Sequence, residues 1–168
     1  VQACCDADFA GCIRTSRSTS GIYASYGPRY DPQDSSQTQA MLVSRSFLER
    51  KVATSTGHSE THASHDTDEE VMWLRHLAAE LGEEIDYASP MFSDNAGVVK
   101  QSTKQVDHCS AKHYRVAQAA IRQQSYDKNI KIEDVASINN TADISTKALV
   151  KLLFFKHRAR LMGPQQLK

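Results

Sequence analysis

The sequence has no hydrophobic run that approaches the roughly 20 apolar residues that a membrane-spanning helix needs. Its first residues also lack the order of basic, apolar and small residues that is typical of a signal peptide. We therefore expect an intracellular protein, cytoplasmic or nuclear, that has no membrane partner.

Cysteine is scarce and is not arranged for zinc. The four cysteines Cys4, Cys5, Cys12 and Cys109 include no C-x-x-C pair and have no histidine at zinc-finger spacing, which disfavours a structural zinc site. Cys4 and Cys5 are adjacent in a short apolar-leaning segment, and we expect them to be buried or half-buried free thiols in a reducing compartment.

The formal net charge is zero, because 20 Lys and Arg residues balance 20 Asp and Glu residues over the 168-residue sequence. The balance conceals a split, because residues 1–98 carry a net charge of −8 and residues 99–168 a net charge of +8. This asymmetry suggests an anionic partner for the C-terminal half. The length and the hydrophobic content of 40% fit one globular domain spanning residues 1–168.

Hydrophobic patterns and turn residues predict an α/β domain with a mixed sheet flanked by helices. The segment 28–46 is polar, has no sustained period and is interpreted as a long loop or insertion. Trp73 lies on the apolar face of the longest helix, where we expect it in the core. The predicted strands are 1–11, 22–27, 47–55, 84–95 and 129–137, and the predicted helices are 59–81, 96–103, 110–125 and 141–162.

Four acidic residues fall at strand ends and helix starts, where α/β sheets build their sites. They are Asp6 on the first strand, Glu60 in the first turn of the long helix, Asp94 after the fourth strand and Asp143 near the start of the last helix. Clustered carboxylates repel one another unless cations lie among them, and oxygen ligands favour Mg²⁺ or Mn²⁺. Spacing alone does not select these four, because helix capping explains most carboxylates at helix starts.

Six motifs occur in an order that selects the same four acids. The chain resembles the ribonuclease H domain of copia-type LTR retrotransposon Pol polyproteins in nearly all of its length apart from residues 28–46. The motifs are DADFAGC with STSG (6–21), STGHSETHA (55–63), EEVMWLRHLAAELG (69–82), SDNAG (93–97), HCSAKH (108–113) and ADISTKAL (142–149).

The resemblance implies a ribonuclease H-like fold with a five-stranded mixed sheet flanked by helices. It also implies a metal-dependent endonuclease that cuts the RNA strand of an RNA–DNA hybrid with two Mg²⁺ or Mn²⁺ ions. Asp6, Glu60, Asp94 and Asp143 match the acidic, metal-binding set of that family, whereas Asp8 is matched but treated as secondary. An upstream reverse transcriptase domain is a further expected partner.

Four residues are candidates for nucleic-acid contacts. Asn95 could bind the substrate backbone or its 2′-hydroxyl group, or it could cap a helix. Lys112 and His113 lie in a basic stretch and could contact phosphate or form a solvated face, and Lys147 lies four residues from Asp143. His58, His62 and His65 have helical spacing and are interpreted as a surface face, with a metal site as the alternative.

Several residues depart from the family pattern. Thr61 stands where the family has tyrosine, Phe9 where it has tryptophan, and the loop that contains Asn139 and Asn140 has no histidine. The alternative interpretation is therefore a catalytically weak or inactive ribonuclease H-like module, captured from a retroelement, that serves as a nucleic-acid-binding or interaction protein.

Overall fold

The computed structural model describes residues 1–31, 39–104 and 112–163, apart from the side chain of His113. Within these ranges the predicted α/β fold with a five-stranded mixed sheet is confirmed. The strands are β1 (Gln2–Asp8), β2 (Thr19–Tyr26), β3 (Ala40–Leu48), β4 (Ser89–Ser93) and β5 (Ile130–Asp134). The helices are α1 (Thr56–Glu80), α2 (Ala96–Thr103), α3 (Lys112–Tyr126) and α4 (Lys151–Met162).

The strands are arranged in the order β3-β2-β1-β4-β5. The hairpin strands β1, β2 and β3 pair antiparallel, whereas β4 and β5 are parallel to β1. Parallel neighbours require crossover connections, which α1 supplies between β3 and β4 and which α2 and α3 supply between β4 and β5. The carboxyl ends of β1, β4 and β5 therefore lie at one edge of the sheet.

Successive strand residues point to opposite faces of the sheet and build two separate cores. Ala3 and Met91 pack with apolar residues of α1, α2 and α3. The neighbouring residues Cys4 and Phe92 pack with Ala142 and with the half-buried Leu161 of α4. Helices α1, α2 and α3 thus cover one face of the sheet, and the segment from Ala142 to α4 covers the other.

Helix α1 is 25 residues long and begins three residues before the predicted start. The side chain of Ser55 caps it by accepting a hydrogen bond from the backbone N–H of His58. At its C-terminal end Gly82 adopts a φ of 85°, a left-handed conformation that glycine tolerates best. Gly82 therefore ends this helix, as its sequence position predicts.

The third strand is shifted from its predicted position. Strand β3 begins at Ala40, inside the segment that was interpreted as a loop, and ends at Leu48, so that the prediction of a strand over 47–55 was wrong. Residues 32–38 of the same segment lie outside the described residues.

The last helix was also predicted too long. Thr141–Ser145 form a short 3₁₀ helix, here called the 3₁₀ segment, and α4 starts only at Lys151. The side chain of Asn140 caps the 3₁₀ segment by accepting a hydrogen bond from Ala142 N–H. Asp143 therefore lies on the 3₁₀ segment, which packs against the sheet, and not on α4.

Two predictions about burial have opposite outcomes. Cys4 and Cys5 are buried free thiols, as expected, and burial raises the pKa of Cys4 to about 12. Trp73, by contrast, is 56% exposed, so its placement in the core was wrong. Among the described residues, the helices are too short or too polar to cross a membrane.

Candidate active site

Three carboxylates meet at one edge of the sheet. Asp6 lies on β1, and Asp94 directly follows the neighbouring parallel strand β4. Cys4 pairs with Phe92 in these strands, so Asp6 and Asp94 occupy equivalent positions two residues further on. Asp143 comes from the 3₁₀ segment, and the three side chains offer oxygens that all lie within 4.8 Å of one another.

The 3₁₀ segment comes this close because β2 has no side chain at the contact. A Cβ atom on Gly21 would lie 2.6 Å from Thr146 Cγ2 and 2.8 Å from the carbonyl oxygen of Ala142. The hydroxyl of Thr146 also donates a short hydrogen bond to Asp6 Oδ2. A glycine of the STSG motif thus makes room for the segment that carries Asp143.

Asn140 fixes the same segment to two strands and is fully buried. Its side-chain amide donates hydrogen bonds to the carbonyl oxygen of Cys5 at 2.9 Å and to Asp94 Oδ1 at 3.3 Å. Sequence patterns did not single out this residue, whose loop was noted only for its lack of histidine. The signal present in the sequence is an asparagine, a residue that often caps helices, two positions before ADIS.

Glu60 enters the site from the first turns of α1. It is only 6% exposed, and its Oε2 atom has no hydrogen-bond partner among the described residues. Burial, followed by the charges of Asp6 and Asp94, raises the pKa of Glu60 to about 8. Glu60 is not part of the set of three carboxylates, but its carboxyl group lies within their electrostatic field.

Lys147 supplies positive charge to this acidic site. Its Nζ atom lies 3.1 Å from Asp143 Oδ2 and 3.6 Å from Asp6 Oδ2. Burial alone would lower the pKa of Lys147, but the charges of Asp6 and Asp143 outweigh this effect and raise it. The candidate phosphate ligand is therefore ion-paired with the carboxylates.

The donor set fits divalent cations. Asp143 Oδ1 is buried and, like Glu60 Oε2, has no hydrogen-bond partner among the described residues. Burial and the charge of Asp6 raise the pKa of Asp143 to about 7, as expected for an acidic group whose negative neighbours are only partly neutralised. Carboxylate oxygens are the ligands that Mg²⁺ and Mn²⁺ prefer.

The other candidate residues have varied surroundings. Asn95 caps α2, because its Oδ1 atom accepts hydrogen bonds from the N–H groups of Gly97 and Val98. Lys112 is exposed at the start of α3, and the side chain of His113 lies outside the described residues. The cap alternative for Asn95 is thus realised in the structure.

The departure at Thr61 is accommodated by a small polar cluster beside Glu60. The Thr61 hydroxyl lies 3.3 Å from the hydroxyl of Tyr114, which also accepts a hydrogen bond from Gln101 at 3.0 Å. The ring of Tyr114 contacts His58 with a centroid distance of 4.2 Å. Tyr114 of α3 therefore contacts α1 beside Thr61, the position at which the family pattern has a tyrosine.

Comparisons with known proteins find relatives of the chain, although no family model matches it. The chain is 27% identical over 150 residues to the retrovirus-related Pol polyprotein from transposon TNT 1-94 of Nicotiana tabacum. It is also 27% identical over 157 residues to that from transposon RE2 of Arabidopsis thaliana. These alignments cover 89% and 92% of the chain but only 10% of each relative.

Solved structures share the fold at low sequence identity. Ribonuclease H1 from Halobacterium salinarum aligns with a TM-score of 0.57 and 15% identity over 87% of this chain and 93% of its own. LC11-RNase H1 in complex with an RNA/DNA hybrid aligns with a TM-score of 0.56 and 15% identity over 86% and 91%. The prototype foamy virus protease-reverse transcriptase aligns with a TM-score of 0.50 and 12% identity over 99% of this chain and 21% of its own.

The motif resemblance, the sequence relatives and the fold all agree. The chain is homologous to a segment, about a tenth in length, of retrotransposon Pol polyproteins and has the fold of a ribonuclease H domain.

Proposed function

We propose that this chain is a metal-dependent endonuclease that hydrolyses the RNA strand of RNA–DNA hybrids. The observation that carries the proposal is the convergence of Asp6, Asp94 and Asp143 within 4.8 Å, with buried Glu60 in their field. The RNA/DNA hybrid held by one structural neighbour supports the choice of substrate. The products would be a 5′-phosphate and a 3′-hydroxyl.

The four acids would hold two Mg²⁺ or Mn²⁺ ions. When bound, such ions would activate water and stabilise the negative charge on the attacking and leaving oxygens. The protein contributes the placement of the ligands, because Asn140 orients Asp94 and Thr146 orients Asp6. Preorganised ligands of this kind reduce the reorganisation needed during the reaction.

The charge distribution supports a polyanionic substrate despite the zero net charge. The acids Asp6, Glu60 and Asp94 belong to the half with a net charge of −8, which attracts cations. Helix α4 belongs to the half with +8, and its basic residues include Lys151, Lys156 and Arg158. Phosphate contacts from such a surface give binding that weakens steeply with salt.

A cleavage assay on an RNA–DNA hybrid labelled in its RNA strand tests the proposal. We expect Mg²⁺-dependent cleavage that falls by about 100-fold or more in Asp94→Asn, which is about 3 kcal/mol of activation free energy. The asparagine keeps the shape of the side chain and removes its charge. Asp86→Asn is the matched control, because Asp86 is exposed and precedes the opposite end of β4.

Failure of either expectation would refute the catalytic proposal. Absence of metal-dependent cleavage in the folded parent protein would do so, as would equal activity of the Asp94→Asn and Asp86→Asn variants.

One observation favours a second candidate, a catalytically weak or inactive nucleic-acid-binding module. Lys147 already pairs with two of the carboxylates and partly neutralises them without a metal ion. This candidate predicts hybrid binding that weakens steeply with salt but no cleavage, and Lys147→Met would not restore activity.

In either case we propose that the domain acts beside a reverse transcriptase domain, as the alignment with the foamy virus enzyme suggests.

A further inference from the structure

A groove of about 990 Å³ lies between the end of β3 and the solvent-facing side of α1. We call it the β3–α1 groove. Its lining is rich in titratable side chains, and Trp73 also borders it. The residues that matter for the argument are Glu49 beyond β3 and His65, Asp66, Glu69 and Trp73 on α1.

Three of these side chains converge on one point. His65, Asp66 and Glu69 each offer a ligand atom, and these atoms all lie within 4.8 Å of one another. His65 and Glu69 are four residues apart and therefore neighbours on the helix surface. His65 and Asp66 are half-buried, so their donors are partly held in place by surrounding atoms.

A buried carboxylate lines the same groove. Glu49 is only 5% exposed, and its Oε1 atom accepts a hydrogen bond from Ser20 at 3.1 Å. Its Oε2 atom has no hydrogen-bond partner among the described residues and lies 3.6 Å from His62 Nδ1. Burial of a carboxylate is costly, and positive charge in the groove, from a protonated His62 or from a bound cation, would offset that cost.

We propose that His65, Asp66 and Glu69 bind a divalent transition-metal ion, best matched by Zn²⁺, in the β3–α1 groove. An imidazole nitrogen with two carboxylate oxygens favours Zn²⁺ over Mg²⁺. Three protein ligands leave a fourth tetrahedral position for water. The bound ion stabilises the middle of α1 where the helix faces the end of β3.

This site is separate from the acidic site of the proposed nuclease. Glu60 and Glu69 are nine residues apart on α1, which corresponds to about 13 Å along the helix axis. The side chain of Glu60 is buried, whereas Glu69 is exposed. Zinc binding at the groove therefore does not depend on the proposed cleavage activity.

The test measures Zn²⁺ binding by isothermal titration calorimetry on untagged protein. The parent carries Asp94→Asn and Asp143→Asn, which remove two ligands of the acidic site, and its fold is verified by circular dichroism. We expect one saturable site that weakens by about 100-fold or more in His65→Ala and in Glu69→Gln, because even outer-shell partners contribute about 10–100-fold. His76→Ala, an exposed histidine of the same helix, is the matched control and should leave the affinity unchanged.

The single tryptophan gives an independent readout. Trp73 lies four residues after Glu69 and borders the groove, so Co²⁺ bound there should quench its fluorescence and Zn²⁺ should reverse the quenching. The proposal is overturned if no saturable site is found, if His65→Ala and Glu69→Gln bind like the parent, or if His76→Ala loses as much affinity as they do.

Discussion

Removal of the Asn140 side chain should lower the free energy of unfolding far more than removal of the Asn139 side chain. Asn140 is fully buried and makes three hydrogen bonds, to Cys5 O, to Asp94 Oδ1 and from Ala142 N–H. Asn140→Ala breaks all three and leaves buried backbone groups without partners. At about 1 kcal/mol for each bond, the free energy of unfolding should fall by about 3 kcal/mol.

Asn139→Ala is the matched control, because the two asparagines are adjacent. The Asn139 side chain is only half-buried and accepts a hydrogen bond from the half-buried Lys156, whose ammonium group also donates to the carbonyl oxygen of Ile138. Lys156 keeps this second acceptor in the variant, so we expect a loss of about 1 kcal/mol, the typical contribution of one hydrogen bond. Urea denaturation with an unchanged m-value measures both changes.

Equal stability of the two variants would refute the role assigned to Asn140. Metal-dependent activity gives a second measure, since loss of the bond to Asp94 should lower it in Asn140→Ala even where that variant is fully folded. Retention of full activity would show that Asp94 does not need this support.

Three further predictions concern charge and packing. In EDTA the free energy of unfolding should fall as the pH rises from 6.5 to 8.5. The pKa of Glu60 is about 8 in the folded protein, so the folded state still holds a proton that the unfolded state has released. Urea titrations at several pH values should give a flatter pH dependence for Glu60→Gln. Gly21→Ala should lose about 2 kcal/mol in the same assay through its clash with Thr146. Gly57→Ala on α1 should be neutral or stabilising, because its Cβ atom would make only an ordinary contact with Ser55 Oγ at 4.0 Å. His157→Leu should gain about 1 kcal/mol, because His157 is fully buried and neither ring nitrogen has a hydrogen-bond partner among the described residues; lower stability of this variant would contradict that reason.

The parts of the fold that sequence patterns predicted are those with strong local signals. Strands β1 and β4 are almost entirely buried, with Asp6 near the end of β1 and Asp94 directly after β4, so both acids could be placed near strand ends. Helix α1 has both a serine cap and Gly82. The convergence of Asp6 with Asp94 follows from the parallel pairing of their strands, a topology that the resemblance implied.

The incorrect predictions have physical reasons. Strand β3 is an edge strand in which most residues are exposed, so its sequence lacks the alternation that marks a half-buried strand. The segment after Asn140 has the composition of a helix, yet it forms a short 3₁₀ helix that is held against β1 by hydrogen bonds and against β2 by the close approach at Gly21. Contacts between residues so distant in sequence leave no local pattern.

The hydrogen bonds from Thr146 to Asp6 and from Asn140 to Cys5 join residues 140 and 135 positions apart. Such contacts form only after a long loop has closed, which is slow compared with the formation of a hairpin or helix. The β1–β2 hairpin can form early, but a complete set of acidic ligands requires the 3₁₀ segment to dock on it. The convergence of all three carboxylates is therefore a property of the closed chain, and a growing polypeptide acquires it only after residue 146 has been added.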